Sequence, residues 1–190
     1  MSWKHLIVAV PLAAALTAPS FALAEEVPES ALRLIPSLQQ WGQDPVLVAA
    51  VNQQNAQGKS LDEIKKTDAE WMATTGVNEF MSGLMSNEAA TELKKLEGTA
   101  PYYTELFLMD NQGANVAMSN KTSDYWQGDE PKFTESFKGG QGAVHVGGVK
   151  FDDSAQAYLV QISVPVLDGG QAIGALTVGL NLDELEQAGK

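Results

Sequence analysis

The feature that most constrains the fold is a pair of alternating apolar stretches near the C-terminus. In residues 157–167 an apolar side chain recurs at every second position, which is the spacing that places side chains on one face of a β-strand. Residues 172–181 alternate in the same way, and the Asp-Gly-Gly-Gln stretch between them predicts a tight turn. The two stretches are therefore predicted to be neighbouring antiparallel strands, with a sheet as the frame of the domain.

The two faces of these predicted strands differ in chemistry. One face is continuous hydrocarbon and needs a covering layer, whereas the other carries small and polar side chains such as Gln161, Ser163 and Thr177. A polar face of an antiparallel sheet can meet solvent, or it can meet a bound ligand. The residues themselves leave both alternatives open.

The region before the sheet, residues 29–97, has a helical pattern. Asp44 followed by Pro45 predicts one helix start, and Asn87 predicts another. Ser60 with Glu63 three residues later predicts a capping box, so that a helix begins at Leu61. We expect its inward-facing side chains to be Ile64, Ala69 and Trp71.

After Gly98 the pattern becomes extended. Residues 105–110 and 115–119 predict a hairpin, and residues 143–149 predict a third strand with His145 on the face opposite its two neighbouring valines. With the C-terminal pair this makes about five strands. The predicted fold class is α+β, with a PAS-like five-stranded antiparallel sheet and a long N-terminal helical layer.

The loop between the second and third strands, residues 122–133 (TSDYWQGDEPKF), has the composition of a binding loop. Its adjacent aromatic side chains lie among acids, and aromatic faces beside carboxylates suit an ammonium group. Lys132 or His145 is suited to hold a single carboxylate. Alternatively, the two aromatic residues plug one end of the sheet. The predicted ligand-binding residues are Tyr125, Trp126, Asp129, Glu130, Lys132, His145, Gln161 and Ser163.

The scarcity of arginine bears on the ligand. Arg33 is the only arginine in the chain, and it falls in the first predicted helix. Arginine is the usual partner of carboxylates because its planar fork binds two oxygens. A ligand with two or three carboxylates is therefore disfavoured, and an amino acid or an amine is favoured.

Residues 1–24 predict a cleavable signal peptide. A basic start precedes an apolar run that is too short to span a bilayer, and Ala22-Leu23-Ala24 is a cleavage signal. We expect cleavage after Ala24, one domain over residues 25–190 (helical part about 29–97, sheet part about 102–185), and a periplasmic or secreted protein. The formal charge of −12 disfavours nucleic acid and membrane surfaces as partners.

Six stretches together resemble the extracellular single Cache (PDC-type) sensor domains of bacteria. They are residues 41–55, 61–71, 105–119, 123–133, and 161–168 with 173–180. The resemblance implies a helical layer on one face of the sheet and a small ligand on the other, beneath the loop that precedes the third strand. It also implies a module that is usually joined to a transducer. Carried onto this chain, the ligand loop falls on Tyr125, Trp126, Asp129, Glu130 and Lys132.

The leader and the short stretch after the last predicted strand depart from the usual arrangement of that family. We therefore expect signalling through a separate membrane-bound partner. An enzyme is not expected, because the only histidine after the leader is His145 and no catalytic motif surrounds it. No cofactor or metal is expected either. The alternative is a protein that uses the same fold to dock a periplasmic protein without a small ligand.

Overall fold

The computed structural model describes residues 26–152 and 156–189, so the predicted signal peptide lies outside the described residues. The helices are α1 (Glu29–Leu32), α2 (Ile35–Trp41), α3 (Pro45–Asn55), α4 (Leu61–Ala73), α5 (Glu79–Leu84), α6 (Glu88–Glu97), α7 (Pro131–Phe137) and α8 (Leu182–Ala188). A short 3-10 turn (Lys138–Gly140) follows α7. The strands are β1 (Tyr103–Met109), β2 (Asn115–Met118), β3 (His145–Val146), β4 (Lys150–Asp152), β5 (Ala157–Asp168) and β6 (Gln171–Asn181).

The strands form one antiparallel sheet in the order β2-β1-β6-β5-β3, with β4 also paired to β5. The α+β class, with its helical layer before an antiparallel sheet, is confirmed. The predicted third strand is shorter than expected, since β3 covers only two residues before Gly147 and Gly148, and glycine weakens a strand. Pairing resumes at Lys150 as β4, so the described sheet has six strands instead of five.

The predicted helix starts are confirmed by their caps. Asp44 Oδ1 accepts hydrogen bonds from the backbone nitrogens of Val46 and Leu47 at 2.8 and 3.2 Å. Ser60 and Glu63 form both bonds of the capping box, and Asn87 Oδ1 accepts from the backbone nitrogen at the start of α6. These interactions need only neighbouring residues, so the sequence predicts them well.

One inward position of α4 differs from the prediction. Ala69 is exposed, and Asp68 is buried in its place beside Ile64 and Trp71. The reason lies outside the helix, since the Asp68 carboxylate receives hydrogen bonds from a distant loop.

The main hydrophobic core lies between the helical layer and one face of the sheet. Apolar side chains from α2, α3 and α6 pack here against alternate residues of β1, β5 and β6. Gly174 permits the close approach of α3, because a Cβ atom there would lie 2.9 Å from Val51 Cγ1 and 2.2 Å from Met109 O. The buried sheet residues of this core include Leu106, Leu108, Val160, Ile162, Val164, Val166, Leu176, Val178 and Leu180.

The opposite face of the sheet carries a second, smaller core. Phe107, Met109 and Ala175 of the sheet belong to the same buried cluster as Tyr125 and Phe133, and α7 packs across β5 and β6. This face is therefore covered over much of its area. None of the helices in the described ranges combines the length and apolar character needed to cross a membrane.

Candidate functional site

The loop of residues 122–127 is fastened to α4 by a buried carboxylate. Asp68 is only 9% exposed, and its Oδ1 accepts hydrogen bonds from the backbone nitrogens of Tyr125 and Trp126 at 2.8 and 3.0 Å. A carboxylate that accepts two backbone N–H groups is a strong local anchor. The loop is thereby held in one position against the helical layer.

Tyr125 lies in the second core. Its side chain is 1% exposed, with ring centroids of Trp71 and Phe80 at 5.9 and 5.4 Å. Burial raises the pKa of Tyr125 to about 12, and the charge of Asp110 adds to this effect. The structure thus places Tyr125 where the plug alternative expected it, at one end of the packed sheet face.

Trp126 is half-buried and already has polar partners. Its Nε1 donates to Gln112 O at 2.8 Å, and the ammonium of Lys65 lies 4.6 Å from its ring centroid. A Cβ atom on Gly128 would lie 2.3 Å from Trp126 Nε1, so the indole and the loop backbone are in direct contact. Asp129, by contrast, is exposed.

A cavity of about 520 Å³ opens on the polar side of the sheet, beside the N-terminus of α7. Four of the predicted site residues line it, namely Glu130, Lys132, His145 and Gln161. The residues that line it do not include the other four, Tyr125, Trp126, Asp129 and Ser163. The structure therefore brings the charged residues at the end of the loop, Glu130 and Lys132, close to strands β3 and β5. The aromatic residues of the loop, Tyr125 and Trp126, pack in the second core.

Ser163 lies one rung away from the cavity on the same face of β5. It is fully buried, and its hydroxyl lies 2.8 Å from that of Thr177 in β6. His145 pairs with Ser163 across the strands, which places the His145 side chain on the polar face as predicted.

The sheet-side wall of the cavity contains a hydrogen-bonded pair from two strands. Gln161 Nε2 donates to Glu105 Oε1 at 2.8 Å. The two residues belong to β5 and β1, and each pairs with Gly179 of the intervening strand β6. A Cβ atom on Gly179 would lie 2.6 Å from Glu105 Cγ, so a glycine in β6 is what allows this contact.

The α7 side of the cavity contributes an ion pair. Lys132 Nζ lies 3.1 Å from Glu130 Oε2 and 5.4 Å from the ring centroid of Phe107. Lys150 and Asp152 of β4 line the far side. Cationic and anionic side chains thus surround one space, which suits a ligand that carries both charges or a single positive charge.

Three residues of this region were not predicted from the sequence. Glu105 and Lys150 line the cavity, and Asp68 anchors the loop. Glu105 directly precedes the apolar run of β1, and a charged residue at the start of a strand reads as ordinary exposure. Only the strand register reveals that it faces Gln161.

The described residues contain no group of three or more histidine, aspartate or glutamate side chains that would hold a metal ion.

The sequence matches no protein-family model and no curated protein. Among solved structures, the chain is similar to the sensor domain of the V. cholerae histidine kinase DctB, with 16% identity and a TM-score of 0.41 over 84% of this chain and 54% of that one. It is also similar to the ligand-binding domain of the Pseudomonas aeruginosa PAO1 amino acid chemoreceptor PctC in complex with GABA (11% identity, TM-score 0.38, 83% of this chain and 63% of that one).

A further similar structure is the sensory domain of the Campylobacter jejuni chemoreceptor Tlp3 with isoleucine bound (18% identity, TM-score 0.40, 85% of this chain and 66% of that one). The chain thus spans between about half and two thirds of the lengths of these domains. All three are bacterial sensory domains, and the ligands named are properties of those proteins.

Proposed function

We propose that this protein is a periplasmic small-molecule-binding protein of the sensor type and that it binds an amino acid or an amine. The observation that carries the proposal is the cavity between α7 and the polar face of the sheet. Its lining contains Lys132, Lys150 and His145 together with Glu105 and Glu130. A largely pre-formed cavity with a few convergent polar groups is the usual form of a small-molecule site.

The arrangement of hydrogen bonds in the cavity supports binding. Glu105 is oriented by Gln161, and Lys132 is oriented by Glu130. Charged groups that are held in place before a ligand arrives lose little conformational entropy on binding. Within this proposal Glu130, Lys132, His145 and Gln161 contact the ligand, whereas Tyr125 and Trp126 support the loop from behind.

Two parts of the proposal rest on the sequence. The periplasmic location rests on the predicted signal peptide at residues 1–24, and the membrane-bound signalling partner rests on the resemblance to Cache sensor domains, which are usually joined to a transducer. The described residues test neither of these two proposals.

A second candidate function is docking of a periplasmic protein. A groove of about 630 Å³ lies between α3, α5 and α6 and is lined by Val46, Ala49, Phe80 and Leu84 among others. Phe80 is 41% exposed, and an exposed aromatic residue beside an apolar groove is a feature of protein interfaces. Trp126, which was predicted from the sequence to contact the ligand, packs against the side chains of the second core.

A ligand screen tests the proposed function, with a variant in which a bulky side chain blocks the cavity. The melting temperature of the purified protein would be measured with amino acids, amines and small carboxylates, since a ligand that binds only the folded state raises it with concentration. Leu159→Trp places a bulky ring from β5 into the cavity. Tyr158→Trp is the matched control, because Tyr158 is the neighbouring residue on the opposite face of the same strand.

We expect one ligand class to raise the melting temperature of the wild type and of Tyr158→Trp but not of Leu159→Trp. If no compound shifts the wild type, the docking function is favoured instead. If Leu159→Trp keeps the full shift, the ligand binds outside this cavity and the proposed site is wrong.

A further inference from the structure

The carboxylate of Glu105 has no cationic partner of its own. Among the described residues, no lysine, arginine or histidine nitrogen lies within 4.0 Å of it. Its hydrogen bond comes from the neutral amide of Gln161. Lys132 lines the same cavity, but its ammonium lies against Glu130. Glu105 is thus a half-buried carboxylate without a counter-charge at the wall of a cavity.

The negative charge of Glu105 is felt by a neighbouring acid. The pKa of Glu97 is raised, chiefly because Glu97 is partly buried, and the charge of Glu105 adds to the rise. A bound cation would pair with the carboxylate of Glu105, because hydrogen bonds between oppositely charged groups are roughly twice as strong as neutral ones.

The position of Glu105 is fixed by the strands on either side. Glu105, Gly179 and Gln161 lie in register across β1, β6 and β5, and the absence of a side chain on Gly179 lets the Glu105 side chain lie across it. Gln161 donates through Nε2, which leaves its Oε1 as an acceptor. Two acceptors therefore lie together at the sheet, and an ammonium group has three N–H donors for them.

Two further nitrogen-bearing side chains of the cavity come from other strands. Lys150 and His145 belong to β4 and β3, the short strands at the edge of the sheet. A ligand with its positive end at Glu105 would turn any carboxylate toward these edge strands. The ammonium of Lys150 is suited to donate to such a carboxylate but is not needed to hold the amine.

We propose that Glu105, oriented by Gln161, is the residue that selects the ligand, and that it does so by binding a cationic amine. This inference rests on the proposed function and deepens it. The amine is required, and a carboxylate on the ligand is optional. The hydroxy acid of the same carbon skeleton is disfavoured because it brings no positive charge to Glu105.

Matched ligands test the requirement for the amine. Each amino acid of a panel that includes L-valine and γ-aminobutyrate would be titrated beside the hydroxy acid and the primary amine of the same skeleton, and Kd would be measured by calorimetry. We expect the amino acid and the amine to bind, and the hydroxy acid to bind roughly 10- to 100-fold more weakly, which is the usual cost of losing a charge-assisted hydrogen bond.

Glu105→Gln tests the residue itself. It keeps the shape of the side chain and an oxygen for Gln161, and its melting temperature would be checked against that of the wild type. We expect a loss of affinity of roughly 10- to 100-fold for the amine. Glu135→Gln is the matched control, since it removes an exposed acid of α7 and should leave the affinity unchanged.

The outcomes separate this inference from the function on which it rests. If the wild type binds a compound of the panel, but binds the hydroxy acid as tightly as the amino acid or keeps its affinity in Glu105→Gln, the role of Glu105 is wrong and the binding function stands. If the wild type binds none of the compounds, both proposals are overturned.

Discussion

Oδ1 of Asp68 lies 2.8 Å from the backbone nitrogen of Tyr125, a residue 57 positions further along the chain. This contact joins the helical layer to the loop that precedes α7. It explains why an acid occupies an inward position of α4, and why the aromatic residues of the loop are packed against the protein and do not line the cavity beside α7.

Removal of this anchor should destabilise the fold. Asp68→Ala leaves two backbone N–H groups of the loop without their acceptor, and we expect the free energy of unfolding to fall by about 3 kcal/mol. Asp68→Asn retains an oxygen acceptor and should lose less. Urea denaturation would measure both, with Glu70→Ala, an exposed acid of the same helix, as the control. Equal stability of Asp68→Ala and the control would contradict the anchoring role.

The contact between Gly128 and the indole of Trp126 should be sensitive to a single methyl group. A Cβ atom at Gly128 would lie 2.3 Å from Trp126 Nε1 and 2.4 Å from Gln112 O, so Gly128→Ala must displace the hydrogen bond between them. We expect a loss of about 1 to 3 kcal/mol and a change in tryptophan fluorescence. Gly148→Ala, where a Cβ would meet nothing within 4 Å, should change neither. An unaltered spectrum for Gly128→Ala would count against the packing described.

The side chain of Asn87 makes two separable contacts. Its Oδ1 caps α6, and its Nδ2 donates to Val116 O of β2. Asn87→Ala loses both and should cost about 2 kcal/mol. Asn87→Asp keeps the cap and loses the donor, so it should lie between the wild type and the alanine variant in thermal denaturation. If Asn87→Asp were as stable as the wild type, the bond to β2 would contribute nothing, and if it were no more stable than Asn87→Ala, the cap would contribute nothing.

Glu97 should make stability depend on pH. Burial raises its pKa in the folded protein above the ordinary value of 4.5. Because the pKa of Glu97 is higher in the folded state than in the unfolded state, its protonation adds to the free energy of unfolding. This contribution is fully present below pH 4.5 and is lost as the pH rises through the pKa of the folded state. In Glu97→Gln the amide at this position cannot ionise, so the stability of this variant relative to the wild type should increase as the pH is raised from about 4 to 7.

Denaturation midpoints of Glu97→Gln and the wild type across this pH range would check the expectation. Glu135→Gln, an exposed acid of α7, serves as the reference. A constant difference between Glu97→Gln and the wild type would show that Glu97 titrates alike in the folded and unfolded states.

The parts of the fold that depend on neighbouring residues were predicted from the sequence. The starts of α3, α4 and α6 follow from Asp44, Ser60 and Asn87, and the faces of β5 and β6 follow from their alternation. Lys132 and Gln161 were predicted as site residues in the same way, by residue type and by strand face. Both line the cavity.

Long-range packing decided the rest. Whether Tyr125 is a core residue or a ligand contact depends on Trp71 and Phe80, which lie in other helices. The sequence by itself determined where the elements begin and which strand faces are apolar, because caps and alternation act over a few residues. Only the tertiary structure decided that Glu105 meets Gln161, 56 positions away across Gly179, because such a contact exists only once three strands have paired in a particular register.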